Sequence, residues 1–361
     1  MRMFSSSSPR SRRLAPRRTR AATPTLGVTA FVALCIYSLT FNIKLHKEAE
    51  NVTLRSESDV APDLPSSSAP RNHDNVSLRS ESDVSDKIRS NHTIITAYFL
   101  VHRTKRHSDS DYIEQMGRLF SNSDPMIIFS SPELAPTLAR LRGKPERTVV
   151  IPMELNETNL VKSYPPDLWK NVSTDGRGPG INNGLDYELY QIWNSKVDFL
   201  KVGSDLNPFQ SKFFAWFDAG LVRWEQYANS TLIQRIPPEL PENKLLVMNI
   251  TPALHLKKNP QMSAGVFGGY KKAVDLYHQK YYEKFHKYAY STRYTYLSNE
   301  QIILYDTCGN DGSCFIITPR GKINHPLSPG LTHTYFYLLP FFNEKEYSEL
   351  VRLGFVDKRG W

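Results

Sequence analysis

Short apolar runs alternate with longer segments of helical spacing from residue 93 onward. "TIITAYFLVHR", "PMIIFSS", "RTVVIPM", "FFAWFDAG", "KLLVMNI" and "CFIITPRG" have the length and β-branched or aromatic content of buried strands. Between them, "DYIEQMGRLF" places Ile113, Met116, Leu119 and Phe120 at helical intervals. In Leu185 to Gly203, Leu189, Ile192, Trp193, Val197 and Leu200 share one side of a long helix, and "GYKKAVDLYHQKYYEKFHKYAY" reads as another. Strands alternating with helices predict an α/β domain with a mixed, mainly parallel sheet flanked by helices, here assigned to residues 93–361.

The first 92 residues follow a different pattern. "TLGVTAFVALCIYSLTFNI", residues 25–43, carries no charge and would span about 28 Å as a helix, close to the hydrocarbon thickness of a bilayer. It is long for a cleaved signal sequence, so a retained transmembrane anchor is expected. Residues 1–24 form a basic tail, with seven arginines and no acid among the first twenty, which places them on the cytosolic side. Residues 44–92 are polar and contain the near-duplicates "NVTLRSESDV" and "NVSLRSESDV"; with little to bury, they read as a disordered, glycosylated stem.

Charge and cysteine content support this orientation. The net charge of +9 lies almost wholly in the tail, so the body is nearly neutral and has no nucleic-acid surface to predict. Seven sequons, at Asn51, Asn75, Asn91, Asn156, Asn171, Asn229 and Asn249, fall on the expected luminal side. Cys308 and Cys314 in "TCGNDGSC" are expected to close a small disulfide loop in an oxidising lumen, since two thiolates alone supply half a tetrahedral metal shell.

Four positions carry candidate chemistry. Asp218 ends the apolar run "FFAWFD", which puts a carboxylate at the carboxyl edge of a sheet, where ligands bind in open α/β folds. A turn or helix-cap aspartate is the competing reading, and Ala219 and Gly220 would leave room for a ligand. "SAGVFGGY" reads as a small-residue turn before a helix, with Gly265, Gly268 and Gly269 letting backbone approach a ligand. In "YLSNEQIILY", Glu300 starts a helix with Ser298 as a possible cap; a carboxylate there can act as a general base. His325 and His333 lie on a Gly/Pro-rich loop as candidate ligands.

In this order, the positions resemble nucleotide-sugar-dependent glycosyltransferases of the GT-A fold, a Rossmann-type architecture. More specifically, "NPFQSKFFAWFDAGLVRW", with "TIITAYF" and "SNEQIILY", resembles the HtrL/YibB-like family of glycosyltransferase-like proteins over roughly residues 93–345. That resemblance implies a nucleotide-sugar donor, with Asp218 at the metal and diphosphate and Lys196, Ala219 and Gly220 near the donor phosphates. Gly268 and Gly269 would border the transferred sugar, and Glu300 would be the acceptor contact or base. Mn²⁺ or Mg²⁺ would be held by Asp218 and His325, although Asp-Ala-Gly lacks the second acid of the usual Asp-x-Asp. Arg223 and Trp224 are candidates for sugar contact. The expected protein is a single-pass type II membrane hexosyltransferase of the Golgi or ER acting on a glycan or glycoconjugate. A non-catalytic luminal glycan-binding protein on a transferase-like fold is the alternative, and a glycoside hydrolase using Asp218 and Glu300 is a third.

Overall fold

A computed structural model describes residues 88–101, 109–174, 186–223, 225–249, 262–291, 294–309, 312–317 and 341–352, all within the unit Ser66–Trp361. The chain runs β1 (His92–Tyr98), α1 (Asp109–Ser121), β2 (Met126–Ser130), α2 (Ala135–Arg142) and β3 (Thr148–Pro152). It continues through α3 (Asn159–Lys162), α4 (Pro166–Thr174), α5 (Tyr187–Leu206), β4 (Phe213–Phe217), β5 (Leu245–Met248) and β6 (Val266–Tyr270). Then come α6 (Lys271–Ala289), α7 (Glu300–Cys308), β7 (Cys314–Ile317) and α8 (Glu344–Arg352). The expected anchor, the tail and nearly all of the stem lie outside the described residues. Among those described, no helix is long and apolar enough to cross a membrane.

Seven strands form one sheet in the order β3-β2-β1-β4-β6-β5-β7. The pairs β1–β2, β1–β4, β2–β3 and β5–β7 are parallel, while β6 runs against both β4 and β5. The mixed, mainly parallel α/β sheet predicted from the pattern is therefore present. One strand was not foreseen: "VFGGY" is β6, not a turn. With two glycines and an aromatic on each side, it offers neither clean alternation nor a β-branched run. Only its pairing with β4 and β5 makes it a strand.

Alternate residues of the strands feed two cores. Ile94, Ile128, Phe213, Ala215 and Phe217 face Met116, Leu119 and Phe120 of α1 and Leu138 of α2. On the opposite face, Ile95, Ile127, Phe129, Phe214 and Trp216 meet α5, α6 and α7 through Val197, Leu200, Tyr281, Phe285 and Ile303. Helices thus cover both faces, which is why the strands read as continuous apolar runs.

α5 is buried more completely than a one-sided helix. Its Asn194, Ser195, Lys196 and Asp198 are all buried, so the apolar stripe marks only part of what it packs. Asp198 accepts hydrogen bonds from the Leu160 amide (2.7 Å), Tyr282 Oη (2.7 Å) and His278 Nε2 (3.0 Å), tying α3 and α6 to α5. Cys308 and Cys314 form the expected disulfide, joining the end of α7 to the start of β7.

Candidate functional site

The strand order has a switch point. From β1 the chain winds outward to β2 and β3, then returns to lay β4 on the other side of β1. Connections diverge at this pair, and the carboxyl ends of β1 and β4 are therefore at the usual ligand position of open α/β sheets. Asp218 is the first residue past β4 and stands at that edge.

The backbone of Asp218 is held from both sides: its amide donates to the Gly265 carbonyl beside the start of β6, and its carbonyl accepts from the Leu221 amide, each at 2.9 Å. The carboxylate does not cap this turn. Trp216, two residues earlier on the same sheet face, donates Nε1–H to Asp218 Oδ1 at 2.7 Å. Lys196 of α5 brings Nζ to 2.8 Å from the same oxygen. Oδ2 has no partner among the described residues, and the Asp218 side chain is 38% exposed while that of Lys196 is 6% exposed.

Glu300 converges on the same ammonium. It opens α7, whose N-cap is Asn299 through a hydrogen bond accepted from the Gln301 amide (3.1 Å), so the cap lies one residue after the predicted Ser298. Lys196 Nζ donates to Glu300 Oε1 at 3.0 Å and to the Ala264 carbonyl at 3.1 Å. Asp218, Glu300 and Ala264 thus account for the three N–H bonds of the ammonium. Burial opposes its charge, but Asp218 and then Glu300 outweigh that effect, and the Lys196 pKa is raised above the ordinary lysine value. The ammonium also lies 5.8 Å from the centroid of the Trp216 ring, which stacks on Phe199.

Behind this cluster the packing is too tight to admit a water molecule and is lined by Trp193, Phe267, Tyr277, Tyr281 and Leu304. Burial pushes the phenols of Tyr277 and Tyr281 well above their ordinary pKa, so both remain neutral donors beside Glu300. Tyr281 donates to Asn194 Oδ1 at 2.7 Å.

The other candidates separate. Lys196 joins the carboxylates, but with its three N–H bonds committed it is a buried counter-ion rather than an open phosphate contact. Ala219 is 9% exposed, and α1 lies over Gly220, where an added Cβ would meet Gln115 Oε1 at 2.9 Å. Side chains of α1, Gln115 and Tyr112, lie beside the half-buried Gly220. Gly268 and Gly269 are buried inside β6. A Cβ on Gly268 would come within 2.5 Å of the Phe214 carbonyl oxygen and 2.8 Å of Ala215 Cα, so the requirement for glycine there arises from the neighbouring strand. A Cβ on Gly269 would first meet Ala273 Cβ at 2.9 Å. Both predicted sugar-lining glycines therefore have packing explanations; Gly265, whose carbonyl bonds Asp218, is the glycine at the site. His325, His333 and Trp224 lie outside the described residues.

Of the two side chains expected to hold a divalent cation, His325 lies outside the described residues, and the described donors alone do not fit one. Asp218 Oδ1 is already bound by Lys196 and Trp216, leaving one carboxylate oxygen at the rim. Among the described residues, no group of three or more His, Cys, Asp or Glu side chains could hold a metal.

Trp216 and Ala264 are site residues that sequence reasoning did not select. Trp216 had a readable signal, because residues two apart on a strand share a face. The Ala264 carbonyl had none.

No family model matches the chain. Among known proteins it is similar to protein HtrL of Escherichia coli (strain K12), 24% identical over 199 aligned residues, which cover 51% of this chain and 69% of that protein.

Proposed function

We propose that this chain is a glycosyltransferase with a GT-A-like fold, moving a hexose from a nucleotide-sugar donor to a hydroxyl of a glycan or glycoconjugate. The reading places the domain in the lumen of the Golgi or ER, behind an anchor at residues 25–43. The observation that carries it is the half-exposed Asp218 carboxylate at the β1/β4 switch point, with Glu300 fixed on the same buried ammonium. The similarity to HtrL and the mainly parallel sheet support the same class.

In this reading the donor lies along the carboxyl edge and Asp218 orients it through Oδ2. Glu300, with Oε1 held by Lys196, presents Oε2 to the acceptor hydroxyl and receives its proton as the new glycosidic bond forms. The nucleoside diphosphate leaves with the electrons of the broken sugar–phosphate bond.

A screen of UDP- and GDP-sugars that monitors released nucleotide tests the activity. Asp218→Asn retains the shape and one oxygen but loses the charge, so turnover should fall at least 100-fold; it also leaves the buried Lys196 with one acid, so the melting temperature should fall too and turnover is compared where both proteins are folded. Undiminished turnover in that variant removes Asp218 from the mechanism. A specific observation favours the glycan-binding alternative: Glu300 is only 8% exposed and already neutralised, a poor setting for a base. Glycan capture without binding of any nucleotide sugar would select that alternative.

A further inference from the structure

We propose that the ammonium of Lys196 is the permanent counter-cation of this centre, so that Asp218 and Glu300 hold no divalent metal between them. This statement does not depend on the transferase reading.

Three observations carry it. First, Lys196 Nζ lies between the two acids, 2.8 Å from Asp218 Oδ1 and 3.0 Å from Glu300 Oε1, where a bridging metal ion would otherwise sit. Second, the ammonium has nowhere else to go. Its side chain is 6% exposed, Trp216 lies beside it, and the tightly packed space behind it is lined by Trp193, Phe267 and Leu304 with the neutral side chains of Asn194, Tyr277 and Tyr281. Moving a charge into such surroundings costs several kcal/mol. Third, the displaced positions would make a poor metal shell. Mg²⁺ requires near-ideal octahedral oxygen geometry, and Asp218 Oδ1 is also fixed by the Trp216 N–H at 2.7 Å. One rim oxygen, Oδ2, holds a cation only weakly, and that gain does not match the cost of evicting a buried ammonium.

The same geometry makes a counter-intuitive prediction. If Lys196 occupies a metal-like position, removing its charge should create a metal site. Lys196→Met keeps the length of the side chain and leaves two facing carboxylates without a cation.

The test uses the full-length protein in detergent, with Mn²⁺ binding followed by electron paramagnetic resonance and by the shift of the melting temperature. Wild type should show no Mn²⁺ site that Asp218→Asn removes. Lys196→Met should gain one site and recover several degrees of melting temperature in millimolar Mn²⁺. An Asp218-dependent Mn²⁺ site in the wild type overturns the proposal. A folded Lys196→Met protein indifferent to Mn²⁺ overturns it as well, because the carboxylates then do not converge. Should that variant fail to fold, the wild-type Mn²⁺ titration decides by itself.

Discussion

At the scale of the residue, Asp218 is tolerated beside five buried aromatic and small residues because its charge is answered locally. One oxygen accepts from Trp216 and meets Lys196, and the other faces the rim. Lys196 is the more demanding group. Taking it out of water is unfavourable by several kcal/mol, and only the two acids together reverse this. Its raised pKa fixes the sign of the pH dependence. The folded value lies above the ordinary 10.5, so the pairing contributes its full stability below that pH and loses it as pH rises through the folded value. Urea denaturation from pH 8 to pH 11.5 should show a constant gap between wild type and Lys196→Met up to about pH 10, narrowing above 10.5 by at most about 1.4 kcal/mol per pH unit. At pH 8 the variant should be about 3–5 kcal/mol less stable, the usual effect of orphaning a buried charge. A constant gap across that range would show that Lys196 contributes packing alone.

At the scale of the element, β6 distinguishes two explanations of the same glycines. If Gly268 were glycine for a ligand, adding a methyl would impair binding and leave stability alone. Its Cβ would instead collide with backbone of β4, which cannot step aside as a flexible side chain can. Gly268→Ala should therefore lower stability by about 2–3 kcal/mol, the range of overpacking in a tight core. Gly269→Ala, meeting the Ala273 methyl first, should be milder. Thermal melts of the two variants rank them, and the reverse order would contradict the antiparallel register of β4 and β6.

The same strand marks where the sequence ceased to be legible. β1, β2, β3 and β4 are continuous apolar runs, and burial between two helical layers leaves that trace directly. β6 was hidden because glycines required by inter-strand contact look the same as glycines that serve a turn or a ligand. At the site, Asp218 and Glu300 stood out as charges next to apolar runs. Their meeting through Lys196 did not, since its partners are 22 and 104 residues away and α5 buries polar side chains on faces that no periodicity identifies.

At the scale of the whole molecule, the expected luminal orientation has a local check. Asn91, Asn156, Asn171 and Asn229 are exposed. Asn249 is half-buried just past β5, where its backbone N–H donates to the Ile317 carbonyl at 2.8 Å and its backbone also bridges Met262. In secretory-pathway expression, Asn→Gln at each of the four exposed sites should increase gel mobility by one glycan, whereas Asn249→Gln should leave it unchanged. Absence of any shift at the four exposed positions would argue against a luminal domain.

The separation of Lys196 from Glu300 also sets an order of events during biosynthesis. The ribosome makes roughly 5–20 residues per second, so the helix bearing the ammonium precedes its second acid by roughly 5–20 s. Through that interval the nascent chain has the lysine without the full charge balance that makes its burial favourable. The complete centre can therefore close only after translation has passed residue 300.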